Sequence, residues 1–160
     1  MSRFGIRIDL PKHGWLPCEV TFGDETVSFQ ASFVLEDPGY EMVTAALSLL
    51  KHKDSAEICW WTEPNWHTMR IDHTLDPETL SISFFENHAD QHRPDFKSPR
   101  FDCCSTTEFC QSVAFTFREV LGVYGREAYE EGAGKLFPEE TINEIYRELH
   151  ERKYRGRNNQ

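Results

Sequence analysis

The stretch that decides the fold covers residues 55–86 and reads SAEICWWTEPNWHTMRIDHTLDPETLSISFFE. Apolar and polar residues alternate in three runs, which are separated by turn residues at 62–65 and 76–77. Alternation with period two is typical of half-buried strands, and short polar loops join antiparallel neighbours. The stretch therefore predicts three antiparallel strands, at about residues 55–62, 65–73 and 79–86.

The loop at residues 62–65 sets the register of the first two strands. Pairing Trp61 with Trp66 across this loop brings Glu57 opposite Arg70, an opposite-charge pair of the kind that stabilises neighbouring strands. The same register, continued through the second turn, brings apolar residues of the second and third strands opposite one another. The further pairs predicted in this way are Trp60 with His67, Ile58 with Met69, Ala56 with Ile71, Ile71 with Ile82 and Met69 with Phe84.

The two faces of these strands differ in composition. One face is continuously apolar and is predicted to be core: Ile58, Trp60, Met69, Ile71, Ile82 and Phe84. The opposite face is polar except for three aromatic residues, and aromatic residues beside carboxylates are typical of protein-binding hot spots. The predicted partner-binding residues are Glu57, Trp61, Glu63, Trp66, Arg70, Asp72 and Phe85. The alternative is that a loop, or the segment 87–99, folds over the aromatic residues.

The first fifty residues indicate strands followed by a helix. Period-two alternation predicts three strands, the third of which continues to Leu35. Gly23 and Asp24 supply turn residues for a hairpin between the second and third strands. Asp37 followed by Pro38 is a helix-start signal, because Asp caps the first turn and Pro is favoured at its first position. We therefore expect one helix directly after strand three.

The second half of the chain completes an α+β domain. Ser105 and Glu108 form a capping box at the start of a long helix, and a last helix begins near Pro138. We predict a mostly antiparallel sheet of about six or seven strands, one inserted helix after strand three, and two C-terminal helices packed on one sheet face. Residues 1–150 are predicted to form a single domain, and residues 151–160 a basic, flexible tail.

Composition and charge exclude several classes of protein. The 160 residues carry a net charge of −10, and residues 15–89 alone contain thirteen acidic and three basic residues. This excess disfavours nucleic acid or an anionic membrane as a direct partner. The sequence contains neither a transmembrane-length apolar run nor the pattern of a signal peptide. Five cysteines, an odd number at irregular spacing, indicate free thiols in a reducing compartment, and we expect the cytoplasm.

Metal-ligating side chains concentrate around residues 86–92. His88 and His92 would converge on a metal ion if this piece were helical, with Glu86 or Asp90 as a third ligand. The spacing lacks the internal Glu of a zincin, and a solvated loop accounts for both histidines. We predict no catalytic residue, no cofactor and no metal. The alternative is a small-ligand-binding or metal-dependent enzyme that uses the His88–His92 loop.

Four short motifs in order carry a resemblance to a known family. They are HGWL at residues 13–16, the helix after EDP at 36–38, the WWTEP hairpin at 60–64 and the late helix with YG at 124–125. In this order the chain resembles small bacterial immunity proteins of polymorphic and contact-dependent toxin systems. The resemblance implies a cytoplasmic inhibitor, without catalysis of its own, that neutralises a cognate toxin domain by direct contact.

The charge of the chain extends this expectation to the partner. Many toxin domains are basic because their substrates are nucleic acids, and a basic domain would associate rapidly with an acidic protein. We therefore expect a basic toxin domain as the partner. Self-association through the same sheet face, as a homodimer or in a larger assembly, is a further alternative.

Overall fold

The computed structural model describes residues 4–89 and 100–158, and within these ranges the chain has an α+β fold. Seven described strands form two antiparallel sheets, each in sequence order. The first sheet contains β1 (Gly5–Ile8), β2 (Trp15–Phe22) and β3 (Glu25–Ser32). The second contains β4 (Ser55–Trp61), β5 (Trp66–His73), β6 (Thr79–Asn87) and β7 (Arg100–Ser105). The helices are α1 (Pro38–Leu50), α2 (Thr106–Tyr124), α3 (Arg126–Ala133) and α4 (Glu139–Asn158).

The register predicted for the second sheet is confirmed. Trp61 pairs with Trp66 and Glu57 with Arg70 between β4 and β5, and the predicted pairs between β5 and β6 also form. Since successive side chains of a strand point to opposite faces, this register also determines which residues are buried. The predicted apolar face is buried, and Trp60 at its centre is 0% exposed.

The two sheets pack against each other through their apolar faces. The ring centroid of Phe29 in β3 lies 5.4 Å from that of Trp60 and 4.5 Å from that of His67. Phe22 of β2 contacts Phe84 of β6 in the same way, with centroids 5.3 Å apart. The core of the molecule therefore joins the inner faces of both sheets with the buried faces of the helices.

The predicted fold class is confirmed, with differences in detail. The α+β class, the helix after strand three and the two long C-terminal helices α2 and α4 are as predicted. The strands divide between two sheets, and the short helix α3 lies between α2 and α4. The prediction that the third strand continues to Leu35 is wrong. The strand ends at Ser32, because the N–H of Val34 bonds to the Ser32 hydroxyl at 3.1 Å instead of continuing a ladder.

Helix α2 covers the open edge of β1. The N–H of Ile6 donates to Ser112 Oγ and the N–H of Ile8 donates to Thr116 Oγ1, both at 2.8 Å. Four residues of a helix rise about 6 Å. Two residues of a strand span about 6.6 Å. The distance between the two hydroxyl groups of α2 therefore matches the distance between the two N–H groups of β1, and both hydrogen bonds form. The predicted capping box of Ser105 and Glu108, which begins α2, is present.

Helix α4 continues through residues 151–158, where a flexible basic tail is predicted. Arg152 holds this part of the helix against the rest of the molecule. Its guanidinium donates to Glu78 Oε2 at 3.1 Å and to the carbonyl of Leu50 at 3.0 Å. Among the described residues, none of the helices combines the length and the apolar character needed to cross a membrane.

Helix α3 approaches the β1–β2 connection so closely that residue 132 must be glycine. A Cβ on Gly132 would lie 1.8 Å from the carbonyl oxygen of Pro11, which is a backbone atom and cannot rotate away. The carbonyl of Gly132 also accepts a hydrogen bond from the N–H of Gly14 at 2.8 Å. This contact places α3 against the first sheet.

We expect Gly132→Ala to destabilise the protein by about 1–3 kcal/mol, because the added methyl group overpacks a backbone contact. Gly122→Ala is the matched control, since Gly122 also lies in a helix but has nothing within 4 Å of the added carbon. The control should stabilise by about 0.5–1 kcal/mol through helix propensity. Chemical denaturation measures both, and equal effects would contradict the close approach.

The neighbours Trp60 and Trp61 test the assignment of the two faces. We expect Trp60→Ala to cost about 3–5 kcal/mol, the range for a large aromatic side chain removed from a core. Trp61→Ala should cost clearly less, because Trp61 lies on the outer face and is only half-buried. Thermal or denaturant unfolding compares the two variants, and a larger loss for Trp61→Ala would mean that the faces are inverted.

Candidate functional site

The outer face of the second sheet carries a half-buried aromatic pair at the tip of the β4–β5 hairpin. The rings of Trp61 and Trp66 lie with centroids 5.4 Å apart and planes inclined by 36°. The loop between them is closed by a hydrogen bond of 2.8 Å from the N–H of Thr62 to the carbonyl of Asn65. We call the surface formed by Trp61, Trp66, Phe85 and the polar residues between them the tryptophan face.

Phe85 extends the tryptophan face onto β6. It pairs with Thr68, one step diagonal to Trp66, and is 36% exposed. Diagonal neighbours on adjacent strands are within reach of aromatic side chains. The amide of Asn87 donates to Thr68 Oγ1 at 3.0 Å, which holds the end of β6 beside β5. The register thus places the three predicted aromatic residues at neighbouring positions of one face. Most of the segment proposed as their cover lies outside the described residues.

The charged residues of the predicted set divide into two groups. Glu63 lies at the hairpin tip, beside the two tryptophans. Arg70 and Asp72 lie farther along β5, four and six residues from Trp66, which corresponds to about 13 Å or more. Arg70 is opposite Glu57 in register, but its guanidinium forms an ion pair with Asp72, at 3.2 Å. The predicted surface therefore has an aromatic end at the hairpin tip and a charged end farther along β5.

Glu63 is held in place by the first sheet. The hydroxyl of Ser32, which is 1% exposed, donates to Glu63 Oε1 at 2.9 Å. The same hydroxyl accepts the N–H of Val34 at 3.1 Å. A carboxylate with a buried donor has a fixed position, so Glu63 presents its charge at the hairpin tip in one orientation.

The structure adds two carboxyl groups that the sequence prediction missed. Glu41 of α1 reaches the open edge of β4, where its Oε2 accepts the N–H of Cys59 at 3.4 Å. Glu36, just before the helix, is hydrogen-bonded to the Glu41 side chain. Cys59 is two residues from Trp61 on the same face of β4. The acidic border of the tryptophan face therefore includes residues from a different part of the chain.

The environment of Glu41 favours its protonated form. Burial, together with the hydrogen bond and the negative charge of Glu36, raises the pKa of Glu41 to about 8. The N–H of Cys59 acts in the opposite direction, and the nearby carboxylate of Asp37 adds to the increase. The pair thus holds a proton in the physiological pH range.

Burial keeps four of the five cysteines protonated. Burial and the charge of Glu41 raise the pKa of Cys59 to about 11, and burial likewise raises the pKa of Cys104 to about 12. Burial also raises the pKa of Cys18 and of Cys110. A nucleophilic cysteine needs a lowered pKa, so these four behave as small apolar side chains.

The histidine loop lies mostly outside the described residues. His88 is exposed, whereas His92 and Asp90 are not among the described residues. Within residues 4–89 and 100–158, no group of three or more His, Cys, Asp or Glu side chains is arranged to hold a metal ion. The metal alternative at His88 and His92 remains a sequence hypothesis.

A groove of about 720 Å³ lies between the first sheet and the last turns of α2. Arg7, Glu119 and Tyr124 contribute to its walls. The hydroxyl of Tyr124 is hydrogen-bonded to Asp9, which raises the pKa of Tyr124. The thiol in the lining, Cys18, is kept protonated by burial. The groove can take polar groups, but these side chains include no activated nucleophile.

Comparison of the chain with protein-family models, with curated proteins and with solved structures finds no match. In chemical terms, the tryptophan face combines accessible apolar rings with fixed and proton-sharing carboxylates. Such a surface can bury aromatic area against a partner while its carboxylates attract positive charge.

The raised pKa of Glu41 predicts a stability that falls with rising pH. The unfolded carboxyl ionises near its ordinary value of 4.5, whereas the folded one ionises at about 8. Between these values the folded state holds a proton that the unfolded state has released, so raising the pH favours unfolding. We expect the melting temperature to fall between about pH 5 and pH 8.

The variant Glu41→Gln should flatten this dependence, because the amide oxygen still accepts the N–H of Cys59 but does not titrate. Glu57→Gln, the same substitution at an exposed position on β4, serves as the control. Melting curves over the pH range measure the slopes. If the melting temperature of Glu41→Gln fell with pH as steeply as that of the unmodified protein, Glu41 would not be the group that causes the dependence.

Proposed function

We propose that this protein is an immunity protein, an inhibitor that binds a cognate bacterial toxin domain in the cytoplasm and blocks it by direct contact. The observation that carries the proposal is the Trp61–Trp66 pair at the hairpin tip, which is half-buried and bordered by carboxylates. The tryptophan face is the proposed contact surface, with the aromatic rings at its centre and Glu63 at its border.

The aromatic pair supports the role of an anchor. Tryptophan residues are enriched among the few interface residues that supply most of the binding energy. The hydrogen bond of Ser32 to Glu63 and the short loop hold the hairpin tip in one arrangement. A preorganised tip loses little conformational entropy when a partner binds, which favours affinity.

The charge of the surface supports a basic partner. Glu63 and the proton-sharing pair of Glu36 and Glu41 border the aromatic end of the face. Glu57 lies at the other end, where Arg70 is already paired with Asp72. Negative potential over a binding surface accelerates association with a positive partner. A toxin domain that acts on nucleic acid is of this kind, because its substrate is an anion.

Two other functions remain as alternatives. A small-ligand-binding or metal-dependent enzyme would use the His88–His92 loop, and retention of stoichiometric zinc through purification would favour it. Self-association through the tryptophan face would make this chain a homodimer or a subunit of a larger assembly. In that case, Trp61→Ala would change the oligomeric state of the protein rather than its affinity for a toxin domain.

Binding kinetics test the proposal. The partner is the C-terminal domain of a secreted protein encoded beside the gene for this chain, measured by surface plasmon resonance at low and high salt. We expect Trp61→Ala to accelerate dissociation and to cost about 2 kcal/mol or more, because a buried anchor is lost. Glu63→Gln should mainly slow association and reduce its salt dependence, since it removes charge but keeps an acceptor for Ser32.

Tyr154→Ala is the control, because Tyr154 is an exposed aromatic residue on α4 that does not belong to the tryptophan face. It should leave both rate constants unchanged. If neither Trp61→Ala nor Trp66→Ala affected binding, the contact surface would lie elsewhere on the molecule. If the neighbouring domain did not bind at all, the proposed function would be wrong.

A further inference from the structure

The edge strands of the two sheets differ in what lies against them. The edge of β1 is covered by α2, through Ser112 and Thr116. The edge of β4 is approached by α1, through Glu41. By contrast, β3 pairs with β2 alone and β7 with β6 alone, so no described strand is hydrogen-bonded to the other edge of either. An open edge presents a row of backbone donors and acceptors to which another strand can add.

The hydrogen-bond pattern identifies which groups of β3 point outward. Gly23 and Asp24 form a two-residue hairpin loop, so the flanking residues Phe22 and Glu25 form a hydrogen-bonded pair. Hydrogen-bonded pairs recur at every second residue of an antiparallel ladder. The N–H and C=O groups of the residues between them therefore point to the open edge: Thr26, Ser28 and Gln30.

The opposite side of the first sheet shows the same alternation. Ile6 and Ile8 direct their N–H groups away from β2, toward α2. Their partners in β2, Val20 and Cys18, therefore bond to β3 instead. This assignment agrees with the one that follows from the hairpin loop.

The sequence of β3 lacks the usual protection of an open edge. Proteins commonly place lysine, other charges or proline on such strands to prevent pairing with another chain. Residues 26–32 read TVSFQAS and contain neither a charge nor a proline. The side chains of Thr26, Ser28 and Gln30 are exposed, and Val27 and Phe29 are only partly buried.

We infer that β3 pairs antiparallel with β3 of a second copy of this chain, with Ser28 on the two-fold axis. In this register Ser28 faces Ser28, and Thr26 faces Gln30 on either side. Each of these pairs consists of outward-pointing residues, so each exchanges two backbone hydrogen bonds. The two three-stranded sheets become one continuous six-stranded sheet.

The side chains of this register are compatible with a second copy. Glu25, the charged residue of β3, faces Ala31 of the other copy, so carboxylates do not oppose each other. Val27 faces Phe29, and the pairing covers apolar area that is partly exposed in the monomer. The inference is independent of the proposed function, because it uses backbone groups at the edge of the first sheet and not the side chains of the tryptophan face.

Sedimentation analysis of the full chain over a range of concentrations tests the inference. The unmodified protein should show a monomer–dimer equilibrium. Ser28→Pro removes the N–H that donates across the axis, and proline is tolerated on an edge strand when its missing N–H faces outward. We expect a dimer dissociation constant about tenfold to a hundredfold higher, whereas Ser28→Ala should leave it nearly unchanged.

Two substitutions of equal charge test the register and do not depend on proline. Ser28→Lys places two like charges face to face and should weaken the dimer. Gln30→Lys places each lysine opposite Thr26 and should not. An equimolar mixture of Ser28→Lys and Ser28→Glu should associate more strongly than either variant alone, because opposite charges then meet on the axis.

The results of these experiments distinguish self-association through the β3 edge from self-association through the tryptophan face. A chain that stays monomeric at all concentrations overturns the inference. So does a dimer that is insensitive to both Ser28→Pro and Ser28→Lys, or equal weakening by Ser28→Lys and Gln30→Lys. A dimer that is lost in Trp61→Ala but kept in Ser28→Lys would assign self-association to the tryptophan face instead.

Discussion

The pairing of helix side chains with strand edges is the interaction on which the arrangement of this molecule depends. Two hydroxyl groups of α2, Ser112 and Thr116, satisfy consecutive outward N–H groups of β1. Buried backbone donors without a partner are costly, so a helix that supplies acceptors at the correct spacing can lie against an edge that would otherwise need another strand. The position of α2 then determines where Phe117 and Val113 enter the core.

Glu41 of α1 has the same role at the edge of β4, but with a different chemical consequence. A hydroxyl is neutral, whereas a carboxyl group in a partly buried position beside Glu36 retains a proton. The structural device that attaches α1 to the second sheet therefore introduces an ionisable group next to the tryptophan face. Packing and surface electrostatics are linked at this position.

The second sheet could be predicted because its register depends on local sequence patterns. The division into two sheets could not, because it depends on contacts between residues that are distant in sequence. The strand register follows from alternation and from the loop at residues 62–65, which involve neighbouring residues only. The division into two sheets depends on contacts such as that of Phe29 with His67, which are distant in sequence. The same holds for the hydrogen bond from Cys59 to Glu41, so the sequence predicted the aromatic part of the candidate site but not its full acidic border.

Buried and outer side chains alternate along the strands of the second sheet, and this affects how its outer surface can change between related chains. Trp60 and Trp61 are adjacent in the chain, yet one is in the core and the other on the outer face. Substitutions at every second position of β4, β5 and β6 can therefore alter the outer surface while the buried residues stay the same. Such a sheet separates the inheritance of the fold from that of its outer surface, so related chains can keep one scaffold while the proposed contact surface changes.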